Sequence, residues 1–383
     1  MSKTWTTAIL LLGVAVIGSN SLVLSPILPD VARDLATTPS AVARAISAYG
    51  GATALAALLL GSTIDRYGAR GVLVVGSVLL ACGTFGSALA PSWILLALAQ
   101  GLAGLAAGTM LPAIYAAATM TGTREEGARV LGRVLTGWSV SLVAGVPLSA
   151  LVAQRFGWEA SFAALGVLVV LALAGFARMP RPAPGPPRAA APGGSPLQAL
   201  TVAGIAPLLA VQFLFMTAFY GTYAFFGDHL RGSLGLSAGT AGLVVLSYGI
   251  GFGLAALGDG LVDRLGPARV LPPALGLVAV AYATMPLTAV ALAGALAAAF
   301  VWGFANHFVL NVVVLRLSEM GGGRRGAVLG LNTAITYGGA LVGPLALGAV
   351  YVGAGFAWLA LAAAGCVALA AGVTVLVQQE AVA

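Results

Sequence analysis

The chain has 383 residues, of which 60% are hydrophobic and 8% are charged, with a formal net charge of +7 and a mean hydropathy of +1.02. Soluble domains carry roughly 25% charged residues, so this composition excludes a soluble globular protein and leaves room for about twelve membrane spans of ~20 residues. The cations are scattered between apolar runs rather than gathered in a basic stripe, which argues against a nucleic-acid partner.

Twelve apolar segments are predicted to cross the membrane, six on either side of a stretch rich in Pro, Gly and Arg. The first begins soon after Lys3 without a convincing small-residue cleavage site, so we interpret it as an uncleaved span and not a signal peptide. Residues 178–196 cannot form a buried helix and are predicted to be an exposed cytoplasmic linker between a six-helix bundle over 1–177 and another over 197–383. The predicted spans, numbered 1 to 12 in chain order, cover 6–29, 40–62, 71–90, 92–118, 130–154, 159–177, 199–227, 238–258, 268–287, 289–315, 327–352 and 354–377.

The positive charges fall mainly on one predicted face of these spans. The face that carries the linker receives 14 of the 18 Lys and Arg residues, and the opposite face receives only Arg33, Arg44, Arg155 and Arg231. Lys and Arg are enriched in cytoplasmic loops. We therefore expect a multi-pass protein of the cytoplasmic membrane with both termini in the cytoplasm. An odd number of spans would remove this asymmetry.

The two halves of the chain repeat at a fixed spacing. Residues 65–68 (Asp-Arg-Tyr-Gly) recur at 263–266 as Asp-Arg-Leu-Gly, an offset of 198 (263 − 65). Gly145 and Gly343 share that offset, and so does the Leu-Gly pair at 131–132 with its copy in the second half. Three markers at one spacing predict a duplicated six-helix unit. Because six is an even number, the two copies have the same orientation, which makes a parallel repeat.

A charged loop motif gives this duplicated chain a family resemblance. Its residues are Gly61, Asp65, Arg66, Gly68 and Arg70 after span 2, with a weaker echo at Asp263 and Arg264 after span 8. The motif resembles the G-x-x-x-D-R-x-G-x-R loop of the major facilitator superfamily, and the resemblance spans essentially the whole chain. It implies an all-α membrane protein whose twelve transmembrane helices form two pseudo-symmetric bundles of six.

The same motif suggests a gate. Its glycines let helices approach closely, and its acid and arginines can bond to neighbouring helix ends, so it favours one of two packings of the halves. The alternative is that Arg66 and Arg70 act only as topology anchors.

Gly145 with Pro147 in span 5 resembles the Gly/Pro motif found in the drug and sugar efflux branch. A similar pattern, Gly343 with Pro344, stands in span 11. Ordinary helix packing is the alternative for this second motif.

One feature of that branch is missing. Drug antiporters of the superfamily commonly carry an arginine in span 4, three residues before a Gln-Gly pair. Here the pair is Gln100-Gly101 and the expected position holds Ala97. This departure puts the usual proton-coupling arrangement in doubt and favours an importer or facilitator as the alternative function.

Polar side chains at membrane depth are costly to bury, so those within the spans are functional candidates. No carboxylate falls near the middle of a predicted span, and Asp259 lies near the inner end of span 8. His307 in span 10 is therefore the candidate for coupling, because imidazole titrates near neutral pH; a packing role is the alternative. The predicted substrate-binding residues are Asn20, Gln100, Tyr115, Gln212, Tyr220, Tyr223, Asn306, His307, Asn311, Asn332 and Tyr337.

These side chains agree with the resemblance, which implies a central cavity lined by spans 1, 4, 7 and 10. Amides and tyrosines suit an uncharged or amphipathic substrate, although Tyr220 and Tyr223 also fit an interfacial aromatic belt. We predict a monomeric secondary transporter that exports a small organic molecule by alternating access. The resemblance implies protons as the coupling ion. No cofactor or metal is expected, no P-loop is present, and the separated His229 and His307 do not suggest an enzyme.

Overall fold

The computed structural model of the chain describes residues 3–60, 63–180, 200–202 and 204–380. Within these ranges every regular element is helical, and twelve helices are long and apolar enough to cross a membrane. The predicted fold class is confirmed. Spans 1 to 6 comprise Lys3–Leu22 with Leu24–Asp34, Pro39–Leu59, Thr63–Ala88, Trp93–Thr119, Arg124–Val140 with Val146–Phe156, and Trp158–Ala177. Spans 7 to 12 comprise Ile205–Leu234, Ala238–Ala255 with Asp259–Leu265, Pro267–Thr288, Leu292–Gly321, Arg325–Ala354 and Phe356–Glu380.

Several helices extend beyond the apolar segments that predict them. Span 3 begins at Thr63, eight residues before the predicted start at 71 (71 − 63), so most of the charged motif is helical and not a loop. The helix is interrupted only at Gly68. Span 10 likewise continues to Gly321 beyond the predicted end at 315. Hydropathy marks the part of a helix in the hydrocarbon region, whereas the helix itself can continue into the polar interface.

The two bundles have the same internal packing. In the first, span 2 packs on span 4, span 3 on spans 4 and 6, and span 1 on spans 5 and 6. In the second, span 8 packs on span 10, span 9 on spans 10 and 12, and span 7 on spans 11 and 12. Each of these contacts between spans of the first bundle therefore recurs in the second bundle between the spans six positions later. This correspondence agrees with the parallel repeat inferred from the sequence.

Glycines at equivalent positions make the tight turns in both bundles. Gly68 and Gly266 have φ of 71° and 83°, with ψ of 156° and 144°. Gly157 and Gly355, again 198 residues apart (355 − 157), have φ of 91° and 85° between spans 5 and 6 and between spans 11 and 12. This backbone region is essentially restricted to glycine. The duplication therefore extends to backbone conformations that no other residue readily adopts.

The outer surface suits a lipid environment. Spans 3, 6, 9 and 12 expose large apolar side chains, among them Val75, Leu171, Val280 and Leu369, each more than half exposed. Since the number of spans is even, Lys3 and Glu380 lie at the same end of the molecule, here called the terminal face. The opposite end is called the distal face.

Glycines also let the two bundles touch. Gly50 of span 2 lies against span 11, where an added Cβ would be 2.6 Å from the Cβ of Ala340. Gly249 of span 8 lies against span 5, where an added Cβ would be 2.9 Å from the Cβ of Leu142. The glycines are 199 residues apart (249 − 50) and their partners 198 (340 − 142). The bundles thus cross at two pseudo-equivalent points, with spans 1 and 7 in contact between them.

Candidate functional site

Buried aromatic rings fill the middle of the molecule. The ring of Tyr49 in span 2 lies 6.3 Å from that of Tyr337 in span 11, and Tyr337 lies 6.4 Å from Tyr220 in span 7. This aromatic centre consists of Tyr49, Phe219, Tyr220, Tyr223, Tyr248, Trp302 and Tyr337, each at most 8% exposed. Phe219 lies between Tyr220 and Trp302, with its ring centroid 5.0 Å from that of Tyr220 and 5.5 Å from that of Trp302. Tyr220 and Tyr223 are therefore core residues and do not belong to an interfacial belt.

Several buried polar side-chain atoms have no hydrogen-bond partner within the described residues. Four of them belong to predicted substrate-binding residues of the second bundle, namely Gln212 Oε1, Asn306 Oδ1, Asn332 Oδ1 and the Tyr337 hydroxyl. The opposite ends of two of these side chains are anchored. Gln212 Nε2 donates to Thr336 Oγ1 at 2.9 Å, and Asn306 Nδ2 donates to the Tyr248 hydroxyl at 2.9 Å. The side-chain nitrogens of Gln212 and Asn306 are therefore bonded, whereas their side-chain oxygens can still accept a hydrogen bond.

The predicted residues of the first bundle are already bonded. Asn20 Nδ2 donates to Gln100 Oε1 at 3.3 Å, and Gln100 Nε2 donates to Ser87 Oγ at 2.9 Å. Both Asn20 and Gln100 are 1% exposed. Tyr115 is half-buried, and its hydroxyl accepts a bond of 3.1 Å from Trp138 Nε1. These contacts join spans 1, 3, 4 and 5, so they stabilise the bundle whether or not they also contact a substrate.

His307 has a carboxylate partner, which was not predicted from the sequence. His307 Nε2 lies 2.9 Å from Asp259 Oδ1, and Asn311 Nδ2 donates to the same oxygen at 2.8 Å. The contact places a carboxylate beside His307, and its role as the coupling residue stays a prediction. Asp259 can reach span 10 because span 8 is interrupted just before it by a short 3₁₀ turn, Ala256–Gly258.

An ion pair joins the two bundles at the distal face. Both guanidinium Nη atoms of Arg231 bond to the carboxylate of Asp30, with Nη2 2.8 Å from Oδ1. Arg231 also donates to the carbonyl oxygen of Pro26 at 3.2 Å, and Arg33 bonds to Asp30 at 2.9 Å. Asp30 lies at the distal end of span 1, eight residues (30 − 22) beyond Lys3–Leu22, the part of the span that is apolar enough to cross the membrane. Burial alone would raise the pKa of Asp30, but the bonds and charges of Arg231 and Arg33 outweigh it and hold the pKa below its usual value.

The contact between spans 1 and 7 continues this closure towards the centre. Ser25 Oγ donates to the carbonyl oxygen of Tyr223, and the Tyr223 hydroxyl donates to that of Leu22 at 3.2 Å. An added Cβ on Gly227 would lie 2.6 Å from the carbonyl oxygen of Ser25. The distal side of the aromatic centre is thus closed by direct contact between the backbones of two bundles.

The predicted gating residues of the charged motif lie near the terminal face. Arg70 Nη2 donates to the carbonyl oxygen of Ala177 at 2.6 Å, which is the last residue of span 6 and the negative end of its helix dipole. Arg66 is exposed, and its guanidinium lies 5.2 Å from the ring of Tyr67. Asp263 and Arg264 of the second copy are exposed. Gly61 and the side chain of Asp65 lie outside the described residues.

The Gly/Pro motifs occupy equivalent helix crossings. Gly145 packs against Ser19 of span 1, where any Cβ would overlap the serine hydroxyl, and a π-helical turn, Ser141–Gly145, precedes Pro147. Gly343 packs against span 7, where a Cβ would lie 2.5 Å from the carbonyl oxygen of Thr217. Pro344 follows it within the helix. Close helix packing, the alternative to a gating role, is present at both sites.

Five site residues were not predicted from the sequence, namely Tyr49, Phe219, Tyr248, Trp302 and Asp259. A signal existed for the two tyrosines, because Tyr49-Gly50 recurs as Tyr248-Gly249 at an offset of 199 (248 − 49). No comparable signal marks Asp259, whose importance depends on its contact with span 10. Among the described residues, no group of three or more His, Cys, Asp or Glu side chains could hold a metal.

Comparisons with known proteins agree with this architecture. The sequence model of the family described as Major Facilitator Superfamily matches residues 10–321. An uncharacterized MFS-type transporter of Bacillus subtilis, YwfA, is 32% identical over 362 residues, which cover 92% of this chain and 87% of that protein. A chloramphenicol resistance protein of Streptomyces lividans is 27% identical over 343 residues, with 88% and 86% covered. A protein of Mannheimia succiniciproducens named "Probable sugar efflux transporter" is 26% identical over 191 residues, with 48% and 45% covered. With its twelve spans, two equivalent bundles and repeated loop motif, the chain belongs to the Major Facilitator Superfamily of membrane transporters.

Proposed function

We propose that this transporter exports a small, uncharged or amphipathic organic molecule across the cytoplasmic membrane by alternating access, in exchange for protons. Its terminal face lies in the cytoplasm in this proposal. The observation that carries it is the aromatic centre between the bundles, where the Tyr337 hydroxyl and Asn306 Oδ1 have no partner within the described residues; Asn306 is tied to the centre by its bond to Tyr248. Two relatives whose names refer to chloramphenicol resistance and sugar efflux support the direction of transport.

The chemistry of the centre supports the substrate class. Aromatic rings favour flat apolar groups. The carbonyl oxygens of Gln212, Asn306 and Asn332 require hydrogen-bond donors, and each unpaired buried group costs about 1–3 kcal/mol. A substrate with an aromatic ring and hydroxyl or amide donors would satisfy both requirements. The residues of the aromatic centre carry no formal charge, which favours uncharged molecules over ions.

The closed distal side supports a mechanism of rocking bundles. Contacts of Asp30 and Ser25 with span 7 hold the distal ends of the bundles together. Gly50 and Gly249 provide two pseudo-equivalent crossings about which the bundles can rotate. Rotation that breaks the distal contacts would open the centre to the opposite side of the membrane.

Radiolabelled chloramphenicol in proteoliposomes with an imposed pH gradient tests the proposal. We expect chloramphenicol to move against its own concentration gradient and opposite to the direction of proton flow. Protein-free liposomes should show no chloramphenicol movement driven by the pH gradient. We also expect Tyr337→Phe to weaken chloramphenicol binding without lowering the Tm, because its hydroxyl has no partner to lose. Tyr351→Phe is the matched control: it removes the hydroxyl that donates to Asp228 Oδ2 at 2.7 Å, outside the aromatic centre, so it should lower the Tm and leave binding unchanged. Flux that ignores the pH gradient would refute antiport.

An importer or facilitator remains the second candidate. The observation that favours it is Ala97, which stands where drug antiporters of the superfamily commonly carry an arginine. The same experiment separates the two functions. Chloramphenicol that equilibrates at equal rates with and without the gradient indicates a facilitator, and accumulation in the direction of the proton flow indicates an importer.

A further inference from the structure

We propose that Asp259 and His307 together form the site that binds the coupling proton, with Asn311 as a positioning residue. This inference rests on the proton antiport proposed above and assigns its ion to particular side chains. Asp259 Oδ1 faces His307 Nε2 at 2.9 Å and accepts a bond of 2.8 Å from Asn311. His307 and Asn311 are four residues apart on span 10, so both side chains lie on one face of the helix and meet the same carboxylate oxygen.

The local fold aims Asp259 at span 10. The 3₁₀ turn Ala256–Gly258 ends the first segment of span 8, and Asp259 begins the next one. At Gly258 an added Cβ would be 2.9 Å from the Phe308 ring, so span 10 approaches the break closely. The Phe252 ring contacts the imidazole, with ring centroids 5.1 Å apart and nearly perpendicular planes, and the Phe308 ring lies 5.7 Å from it. The imidazole therefore lies against two aromatic rings and has a polar contact with the carboxylate.

Charge and exposure suit proton exchange at the terminal face. The His307 side chain is only 13% exposed, whereas that of Asp259 is 42% exposed and two turns from the end of its helix segment at Leu265. The elements packed around the pair also carry Arg129 and Arg133 on span 5, Asp263 and Arg264 on span 8, Arg269 on span 9, and Arg316 and Glu319 on span 10. Within the described residues, none of these seven forms an ion pair with Asp259 or His307. The carboxylate is thus the nearest described charge to the imidazole.

Binding of one proton changes the charge of the pair. With a neutral imidazole and an ionised carboxylate the pair carries −1, and a proton from water on the second ring nitrogen makes it neutral as a whole. No bond between heavy atoms forms or breaks, and the same proton returns to water on release. Enclosing an uncompensated charge in a low-dielectric interior is costly. Movement of the bundles around this pair should therefore depend on whether the proton is bound.

Histidine NMR tests proton binding without any substrate. The chain has only two histidines, so a His229→Gln background leaves His307 as a single labelled resonance. Asp259→Asn should change the pH dependence of that resonance, because it removes the carboxylate whose Oδ1 lies 2.9 Å from Nε2. Glu319→Gln, an exposed carboxylate on the same span, is the matched control and should leave the pH dependence unchanged. A pH dependence that Asp259→Asn leaves unchanged overturns the proposal, and Asp259→Glu should largely preserve the wild-type profile.

Chloramphenicol flux then tests coupling. Asp259→Asn and His307→Gln should lose at least tenfold of the flux driven by a pH gradient and keep downhill equilibration, whereas Glu319→Gln keeps both. Retained downhill flux also shows that each variant is folded. Gradient-driven flux kept by Asp259→Asn overturns the role of the pair and leaves antiport intact. Gradient-insensitive flux in the wild-type protein overturns antiport itself, and with it the coupling role of the pair.

Discussion

Replacing Arg231 with glutamine should weaken the closure of the distal face. The substitution removes two charge-assisted hydrogen bonds to Asp30 and a third to the carbonyl oxygen of Pro26, all between the bundles, and leaves Asp30 with Arg33. Removing one partner of a fully buried ion pair costs about 3–5 kcal/mol. The side chains of Arg231 and Asp30 are 12% and 22% exposed, so we expect a smaller loss of about 2–3 kcal/mol. At about 1.4 kcal/mol per factor of ten, the distal-closed population falls roughly 30- to 140-fold relative to the open one.

Distances between spin labels on the two bundles measure this shift. Leu89→Cys and Leu287→Cys provide exposed sites at equivalent positions of the bundles, 198 residues apart (287 − 89), after Cys82 and Cys366 are replaced by serine. Arg231→Gln should populate a longer distance across the distal face. Arg33→Gln is the matched control, because Arg33 bonds to the same carboxylate from within its own bundle and is 68% exposed. Equal effects of the two substitutions, or none from Arg231→Gln, would refute the latch.

The same labels give a pH prediction. Arg231 and Arg33 hold the pKa of Asp30 below its usual value of 3.8 against the opposing effect of burial. When contact lowers the pKa of a carboxylate, the ionised carboxylate stabilises that contact. The stabilisation is complete at pH values above the pKa of the separated group, and it is lost as the pH falls through the lowered pKa. The distal distance should therefore stay constant from about pH 8 to 5 and change only below about pH 4. Opening between pH 8 and 5 would show that another group controls this face.

Three further predictions follow from backbone contacts and buried bonds. Gly50→Val should abolish chloramphenicol flux because its Cβ would overlap span 11. Gly101→Val should be tolerated, because no atom lies within 4 Å of an added Cβ. Equal flux in the two variants would contradict a tight crossing at Gly50. Gly355→Ala should destabilise the protein by ~1–3 kcal/mol because of its positive φ, while Gly353→Ala within the helix should stabilise it by up to ~1 kcal/mol. Thermal unfolding checks the two signs. Gln100→Met should lower the Tm by removing two buried hydrogen bonds worth ~1–3 kcal/mol together, and an unchanged Tm would show that they are dispensable.

Much of the architecture could be predicted because its causes are local in the sequence. Apolar runs long enough to span a bilayer identify the twelve helices, and Gly68 with its copy Gly266 marks turns that only glycine readily makes. The ends of the helices were harder to predict. Residues such as Asp65 and Arg66 are charged yet helical, since a helix can continue beyond the hydrocarbon region.

The candidate site could be predicted only in part. The amides and tyrosines within the spans were recognised because polar groups are rare at membrane depth, yet the sequence cannot tell which of them are bonded. Asn20 and Gln100 bond to each other, whereas Asn306 keeps an acceptor without a partner. That difference depends on which helices become neighbours and on the rotation of each helix about its axis.

The membrane spans, the duplication and the family can be recognised from the sequence alone, because hydropathy, repeated glycines and a charged motif are properties of single segments. The pairing of Asp259 with His307 and of Arg231 with Asp30 becomes visible only in the folded chain. The first pair is separated by 48 residues and the second by 201. A contact over such distances depends on the packing of whole helices, and in the first case on a break in span 8 that turns one carboxylate towards one imidazole.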